Sequence, residues 1–246
     1  MPWAIVLLWG VLLSAVPGLV FAQEFVVGVE DLNYQPFYYL ENGQYQGAAR
    51  EILDAFAHGN GLSFKYEPLP VKRLFRQLLD GSLDLKFPDN PNWQPELKKG
   101  RNIVYSRPVM EFVDGVMVRP ENMGKGLAGL KVLGLVLGFT PRGYQDLMAS
   151  GKIRLVENAS FGGLLEQTVS GRVDGAYINP VVARYQLDRV LGKPDALTFD
   201  PGLPHQKDYY RASSLRRPDI IKRLDQFLTD EAELVEAIRK RHKVVY

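Results

Sequence analysis

The sequence has 246 residues, with 30 Lys and Arg against 28 Asp and Glu and a formal net charge of +2, a near-balance that lacks the basic footprint of a nucleic-acid binder. It has no cysteine, which excludes disulfides, thiolate metal sites and a cysteine nucleophile together. Its 3 histidines, His58, His205 and His242, make no ligand pair at helical spacing, so neither a metal nor any other cofactor is expected.

Residues 1–22 (MPWAIVLLWGVLLSAVPGLVFA) carry no charged side chain and end in Val20-Phe21-Ala22, a small-x-small pattern. This reads as a secretory signal peptide, with the mature chain starting near Gln23. An uncleaved membrane anchor is the competing reading, because the run approaches spanning length and lacks a basic leader. Pro17 and Gly18, just before the Ala, favour cleavage. The remaining chain of about 220 residues can bury its core as one large domain or two small ones.

Residues 24–29 (EFVVGV) predict a strand, and residues 38–45 (YYLENGQY) a hairpin turning at Asn42-Gly43. Residues 48–58 have apolar positions at helical spacing and stop at Gly59-Asn60-Gly61. A strand over 62–67, an amphipathic helix over 71–79 closed by Gly81, and a strand over 83–87 complete a β-α-β-α-β run. Such alternation implies a parallel sheet covered by helices, with ligands at the carboxyl ends of its strands. After a strand over 113–118 the alternation restarts, with strands over 131–137, 153–157 and 175–178 and helices near 144–149, 163–170 and 180–190. Residues 194–204 are punctuated by Pro and Gly, and helices over 218–227 and 231–241 close the chain.

Three segments, in order, resemble the family-3 bacterial extracellular solute-binding proteins, and the likeness spans nearly the whole mature chain. Residues 35–47 (QPFYYLENGQYQG) are similar to the family's opening P-P-F-x-x-x-x-x-G-x-x-x-G. Residues 79–85 (LDGSLDL), Pro95-Glu96 and residues 105–108 (YSRP) are similar to its G-x-x-D, P-E-R and F-S-x-P-Y series. Residues 170–180 (SGRVDGAYINP) are similar to its N-G-R-V-D-A-x-x-x-D-x-P. The resemblance implies an α/β, two-lobed periplasmic-binding-protein type II fold, each lobe a mostly parallel sheet flanked by helices. Residues 23–118 plus 199–246 would form lobe one and residues 119–198 lobe two, hinged near Val118 and Phe199. Two departures stand out. The family's carboxylate-clamping arginine is replaced by Leu97, and the acid that pairs with a ligand's ammonium aligns with Asn179, so a standard α-amino acid is not the expected ligand.

Strand ends locate the candidate ligand-binding residues. Glu30 and Asp31 end the first strand, where a ligand amine or hydroxyl would be met. Phe37 and Tyr38 offer a stacking face. Lys86, Asp89, Asn90 and Trp93 belong to the segment KFPDNPNW, where prolines stiffen the backbone and the indole adds a plane. Phe139, Thr140 and Arg142 sit at a strand-to-helix turn whose free amides favour an anion, so Arg142 is placed to replace the lost arginine. Tyr177 and Asn179 end a lobe-two strand pointing to the same cleft. Each has a plainer alternative: a turn-capping acid, a core ring, a rigid loop, a solvated arginine.

The expected function is capture of a small polar ligand between two lobes in the periplasm, without chemistry. The protein would act as a monomer, serving an ABC importer permease or a membrane sensor. The alternative is a dehydratase-like periplasmic enzyme on the same scaffold, with Glu30, Asp31 or Asp89 as its acid or base.

Overall fold

A computed structural model describes residues 24–244, so the candidate export signal lies outside the described residues. The first half runs β1 (Glu24–Glu30), the hairpin β2 (Tyr39–Glu41) and β3 (Gln44–Gln46), α1 (Ala48–Gly59), β4 (Ser63–Leu69), α2 (Val71–Asp80), β5 (Leu85–Asp89), α3 (Pro95–Lys98), β6 (Val104–Tyr105) and β7 (Met110–Val118). The second runs β8 (Val132–Val136), α4 (Gln145–Ala149), β9 (Arg154–Asn158), α5 (Phe161–Val169), β10 (Gly175–Ile178), α6 (Pro180–Tyr185) and β11 (Thr198–Phe199). The chain then returns through β12 (Gln206–Ser214), α7 (Pro218–Asp230) and α8 (Ala232–Arg241).

Local chemistry accounts for these elements. The hairpin turns on Asn42 and Gly43, both at positive φ, the pairing that matches the twist of the flanking strands. Helix α2 buries Val71, Leu74, Phe75 and Leu78, one stripe at three- and four-residue spacing, and leaves Lys72, Arg73 and Arg76 outside. It ends at Gly81, whose left-handed conformation (φ 79°) frees the chain to turn. From Val27 to Glu30, β1 is buried without alternation, as a strand covered on both faces must be.

Two parallel triplets, β4-β1-β5 and β10-β8-β9, form the lobes. A single sheet joins them in the order β4-β1-β5-β12-β7-β10-β8-β9. Strand β12 supplies the joint. Its residues Gln206–Tyr210 run antiparallel to Met110–Asp114 of β7, while Arg211 and Ser213 pair with Asp89 and Lys86 of β5. The remaining part of β7, Gly115–Val118, pairs with β10, so the strand changes partners between Asp114 and Gly115. The sequence reading leaves residues 206–214 unassigned. The reason is physical: Gln206, Lys207, Asp208 and Arg211 interrupt its apolar pattern, and the strand is held by ladder bonds to residues far away in sequence.

A buried charge network fixes the end of β5. Lys98 Nζ lies 2.8 Å from Asp89 Oδ1 and Lys86 Nζ lies 3.4 Å from the same oxygen. Ser213 Oγ donates to Asp89 Oδ2 at 2.6 Å. Desolvation lowers the Lys98 ammonium to about 8, although Asp89 opposes the shift. Because a buried charge stripped of its partner is costly, Lys98→Met is expected to reduce unfolding free energy by about 3 kcal/mol. Lys99→Met, next door and exposed, should change it by less than about 0.5 kcal/mol. Urea midpoints of the two variants check this, and equal midpoints would contradict it.

Candidate functional site

The carboxyl ends of parallel strands from both lobes meet at one cavity. Lobe one contributes Glu30 from the end of β1, Tyr34 and Tyr38 from the loop that follows, and Tyr210 from β12. Phe139 and Thr140, after β8, face them from lobe two. Asp114 lies on the cavity too, at the residue where β7 changes partners. Val71 and Phe75 of α2 and Trp93 of the loop after β5 complete the apolar side. The enclosed space is about 20 Å³, room for one water-sized group.

Rings fill the rest. Tyr34 stacks on Tyr38 with centroids 4.9 Å apart and meets Phe161 of lobe two at 5.2 Å. Phe139 packs edge-on against Phe161 at 5.6 Å, and Trp93 against Tyr210 at 5.9 Å. Polar contacts cross the same gap. Gln94 Nε2 donates to the Gly138 carbonyl at 2.9 Å, Gln186 Nε2 to the Asn33 carbonyl at 3.1 Å, and Arg142 Nη1 to the Asn92 carbonyl at 3.4 Å. Gly138 comes so near α2 that a Cβ there would sit 3.0 Å from Val71 Cβ, and its φ of +93° also favours glycine. The lobes are therefore closed on each other.

Two acids inside the closed cleft set its electrostatics. Burial raises the Glu30 carboxyl, against the pull of Lys86 and the hydrogen bond that Tyr38 Oη donates to it. Burial raises Asp114 to about 7. The hydrogen bond from Tyr34 Oη, at 3.5 Å, opposes the rise more than either neighbouring acid, Glu30 or Asp208, adds to it. The charged groups acting on Asp114 are thus both acids. Tyr210 Oη donates to Tyr34 Oη at 3.1 Å, completing a relay of phenols that ends on Asp114. Burial holds Tyr34 and Tyr38 far above the usual phenol range, so both stay neutral hydrogen-bond donors.

Of the residues picked from sequence, Glu30, Tyr38, Trp93, Phe139 and Thr140 line the cavity. Arg142 does not line it: partly exposed, it reaches the loop after β5 through the Asn92 carbonyl. Phe37 lies in the core, edge-on to Tyr210 at 5.6 Å. Lys86 Nζ lies 4.3 Å from the Phe75 ring centroid and 5.5 Å from that of Trp93, and so backs two cavity-lining rings. Tyr177 is buried, its hydroxyl accepting from the Arg142 amide at 3.2 Å. The others are elsewhere. Asp31 is exposed. Asp89 belongs to the Lys98 network, and the buried Asn90 donates to the Tyr209 carbonyl at 3.0 Å. Asn179 is buried and caps α6, accepting from the Val181 amide at 2.9 Å. The sequence reading passed over Tyr34, Val71, Phe75, Asp114, Gly138 and Tyr210. Only Asp114 carries a signal, as an acid in the middle of the mostly apolar strand MEFVDGVMV.

Residues 25–241 match the family described as bacterial extracellular solute-binding proteins, family 3. The chain belongs to that family. No curated protein matches it in sequence, but solved structures share its fold. A mutant of the arginine-binding protein ArgBP from T. maritima is 17% identical, with 89% of this chain and 94% of that chain covered and a TM-score of 0.70. A histidine kinase sensor domain with similarity to periplasmic binding proteins is 20% identical, with coverages of 89% and 95% and a TM-score of 0.72. An ancestral amino acid-binding protein, a precursor of cyclohexadienyl dehydratase, is 19% identical, with coverages of 89% and 95% and a TM-score of 0.70. The family is extracellular by description. Among the described residues no helix is long and apolar enough to cross a membrane, and no cluster of His, Asp and Glu could hold a metal.

The raised acid predicts a pH dependence. Between the ordinary carboxylate range and about 7, the folded chain keeps a proton on Asp114 that the unfolded chain has released. Stability is therefore expected to fall as pH rises through that window. Thermal midpoints between pH 5 and pH 8 should decline for the native chain and decline less for Asp114→Asn. Parallel slopes would show that Asp114 does not hold the proton.

Proposed function

We propose that this chain is a periplasmic binding protein, exported through a cleavable signal over residues 1–22. It captures a small polar ligand between its lobes and passes it unchanged to an ABC importer permease or a membrane sensor, acting as a monomer. The observation that carries this reading is the closed cavity: residues from both lobes surround one space at the strand ends, and the lobes touch across it. Such a site is assembled by closure, so the ligand favours the closed form through contacts with both halves. Lobe two is taken as residues 119–198. In support, Thr198 and Phe199 pair with Val118 and Met117, so the two crossings lie side by side. Bending would fall between Asp114 and Val118 in one crossing and between Phe199 and Gln206 in the other, where sheet partners change.

A standard α-amino acid suits this site poorly. No arginine or lysine lines the cavity, Leu97 is 53% exposed, and the Asn179 side chain is occupied as a helix cap. A guanidinium clamp on a carboxylate has no counterpart here. A second reading has one observation in its favour: Asp114, titrating near 7 inside the cavity, could act as a general acid, and the fold is shared with a dehydratase precursor.

Glutamine, arginine and glutamate are expected to show no micromolar binding by calorimetry. A thermal-shift screen across amino acids, amines, carboxylates, sugars and aromatic acids should find a ligand, since a thousandfold excess over Kd stabilises by about 4 kcal/mol. With that ligand the radius of gyration should shrink, and mass spectrometry should recover it intact. An unchanged radius would remove the hinge, and a converted ligand would replace binding with catalysis.

A further inference from the structure

Resting on the binding reading above, the geometry points to a ligand class: we propose that the cavity takes a protonated amine bearing no carboxylate beside it, its ammonium held between Glu30 and Asp114 and its hydrocarbon part against the surrounding rings. Both carboxyls are buried, at 2% and 8% relative exposure, and both line the same enclosed space. With the lobes closed the space admits one water-sized group, about the size of an alkylammonium head, so the hydrocarbon part is taken up only as the surrounding rings and lobes part to receive it.

The hydrogen-bond inventory favours an N–H cation. Tyr38 donates to Glu30 and Tyr34 to Asp114, so the phenol protons already point at the acids. A carboxylate has about four acceptor positions, and one phenol does not exhaust them. An ammonium brings three donors and no acceptor, matching what is left. A quaternary ammonium brings charge but no donor. A carboxylate ligand would meet two acids and no lining cation.

Charge balance favours the same ligand. Lys86 partly offsets Glu30, and Lys98 with Lys86 offsets Asp89. The groups facing Asp114 are Glu30 from β1, Asp208 from β12, and the neutral phenols of Tyr34 and Tyr177, from the loop after β1 and from β10. None supplies a positive charge. Uncompensated acids in a dry site hold a proton or take a cation, so an incoming ammonium displaces the proton from Asp114. Phe75 and Trp93 on the apolar side of the cavity supply surface for the hydrocarbon part.

The test is calorimetry of the mature chain with tyramine and putrescine as probes, against choline, 4-hydroxyphenylacetate and glucose, at pH 6 and pH 8 in buffers of different ionisation heat. At least one amine should bind, more tightly at pH 8, with release of up to about one proton at pH 6. Choline and the uncharged or anionic compounds should bind at least about tenfold more weakly. Asp114→Asn and Glu30→Gln, near-isosteric and checked for folding by circular dichroism, should each weaken the amine about tenfold or more, and Asp114→Asn should remove the proton release. Tight binding of the carboxylate, of glucose or of choline without amine binding would overturn the class and leave the binding reading standing. Amine binding unaffected by either variant would place the amine elsewhere and overturn the inference. If no compound in this set or in the wider screen binds or contracts the protein, both readings fall.

Discussion

The antiparallel ladder between β7 and β12 carries both lobes. Residues Met110–Asp114 of β7 bond to β12 and residues Gly115–Val118 to β10, so a single strand belongs to two sheets' worth of hydrogen bonds. Breaking either half would leave buried backbone groups without partners, whereas twisting the strand where its partner changes breaks few bonds. Asp114 sits there and also lines the cavity.

The molecule handles its buried charges in two ways. At the end of β5, Asp89 is met by Lys98, Lys86 and Ser213, which makes a rigid support for the loop carrying Trp93. In the cavity, Glu30 has Lys86 in the background, and Asp114 has acids and a long phenol contact. Paired charges in the interior give structure, whereas Asp114, buried beside other acids, holds its proton to higher pH. This contrast separates the Lys98 network from the cavity acids, although Asp89 and Glu30 are both buried carboxylates at the end of a strand.

The two positions that the family resemblance marks as ligand anchors do not line the cavity. Where the family pattern places an arginine, Leu97 faces solvent, and the next residue, Lys98, folds inward onto Asp89. Where the pattern places an acid, Asn179 holds the first turn of α6. With those anchors gone, the polar character of the cleft rests on Glu30, Asp114 and the phenols.

The sequence by itself determined the local elements and their order. The stripes of α1 and α2, the Asn42-Gly43 turn and the restart of β-α alternation each depend on residues within a few positions of one another, so they could be read directly, and with the ordered motifs they led to the two-lobed fold. Strand ends were legible for the same reason, which is how Glu30, Tyr38, Trp93, Phe139 and Thr140 came to attention. Tertiary structure decided what periodicity cannot encode. Strand β12 forms because β5 and β7 offer it partners more than 90 residues earlier in the chain. Tyr34, Tyr210 and Asp114 meet only because that pairing folds the ladder over the loop after β1. Asp89 and Asn90, promising as loop polar groups, are consumed by Lys98 and the Tyr209 carbonyl. A polar residue's role depends on which partners surround it, and those partners come from distant segments that only the folded chain brings together.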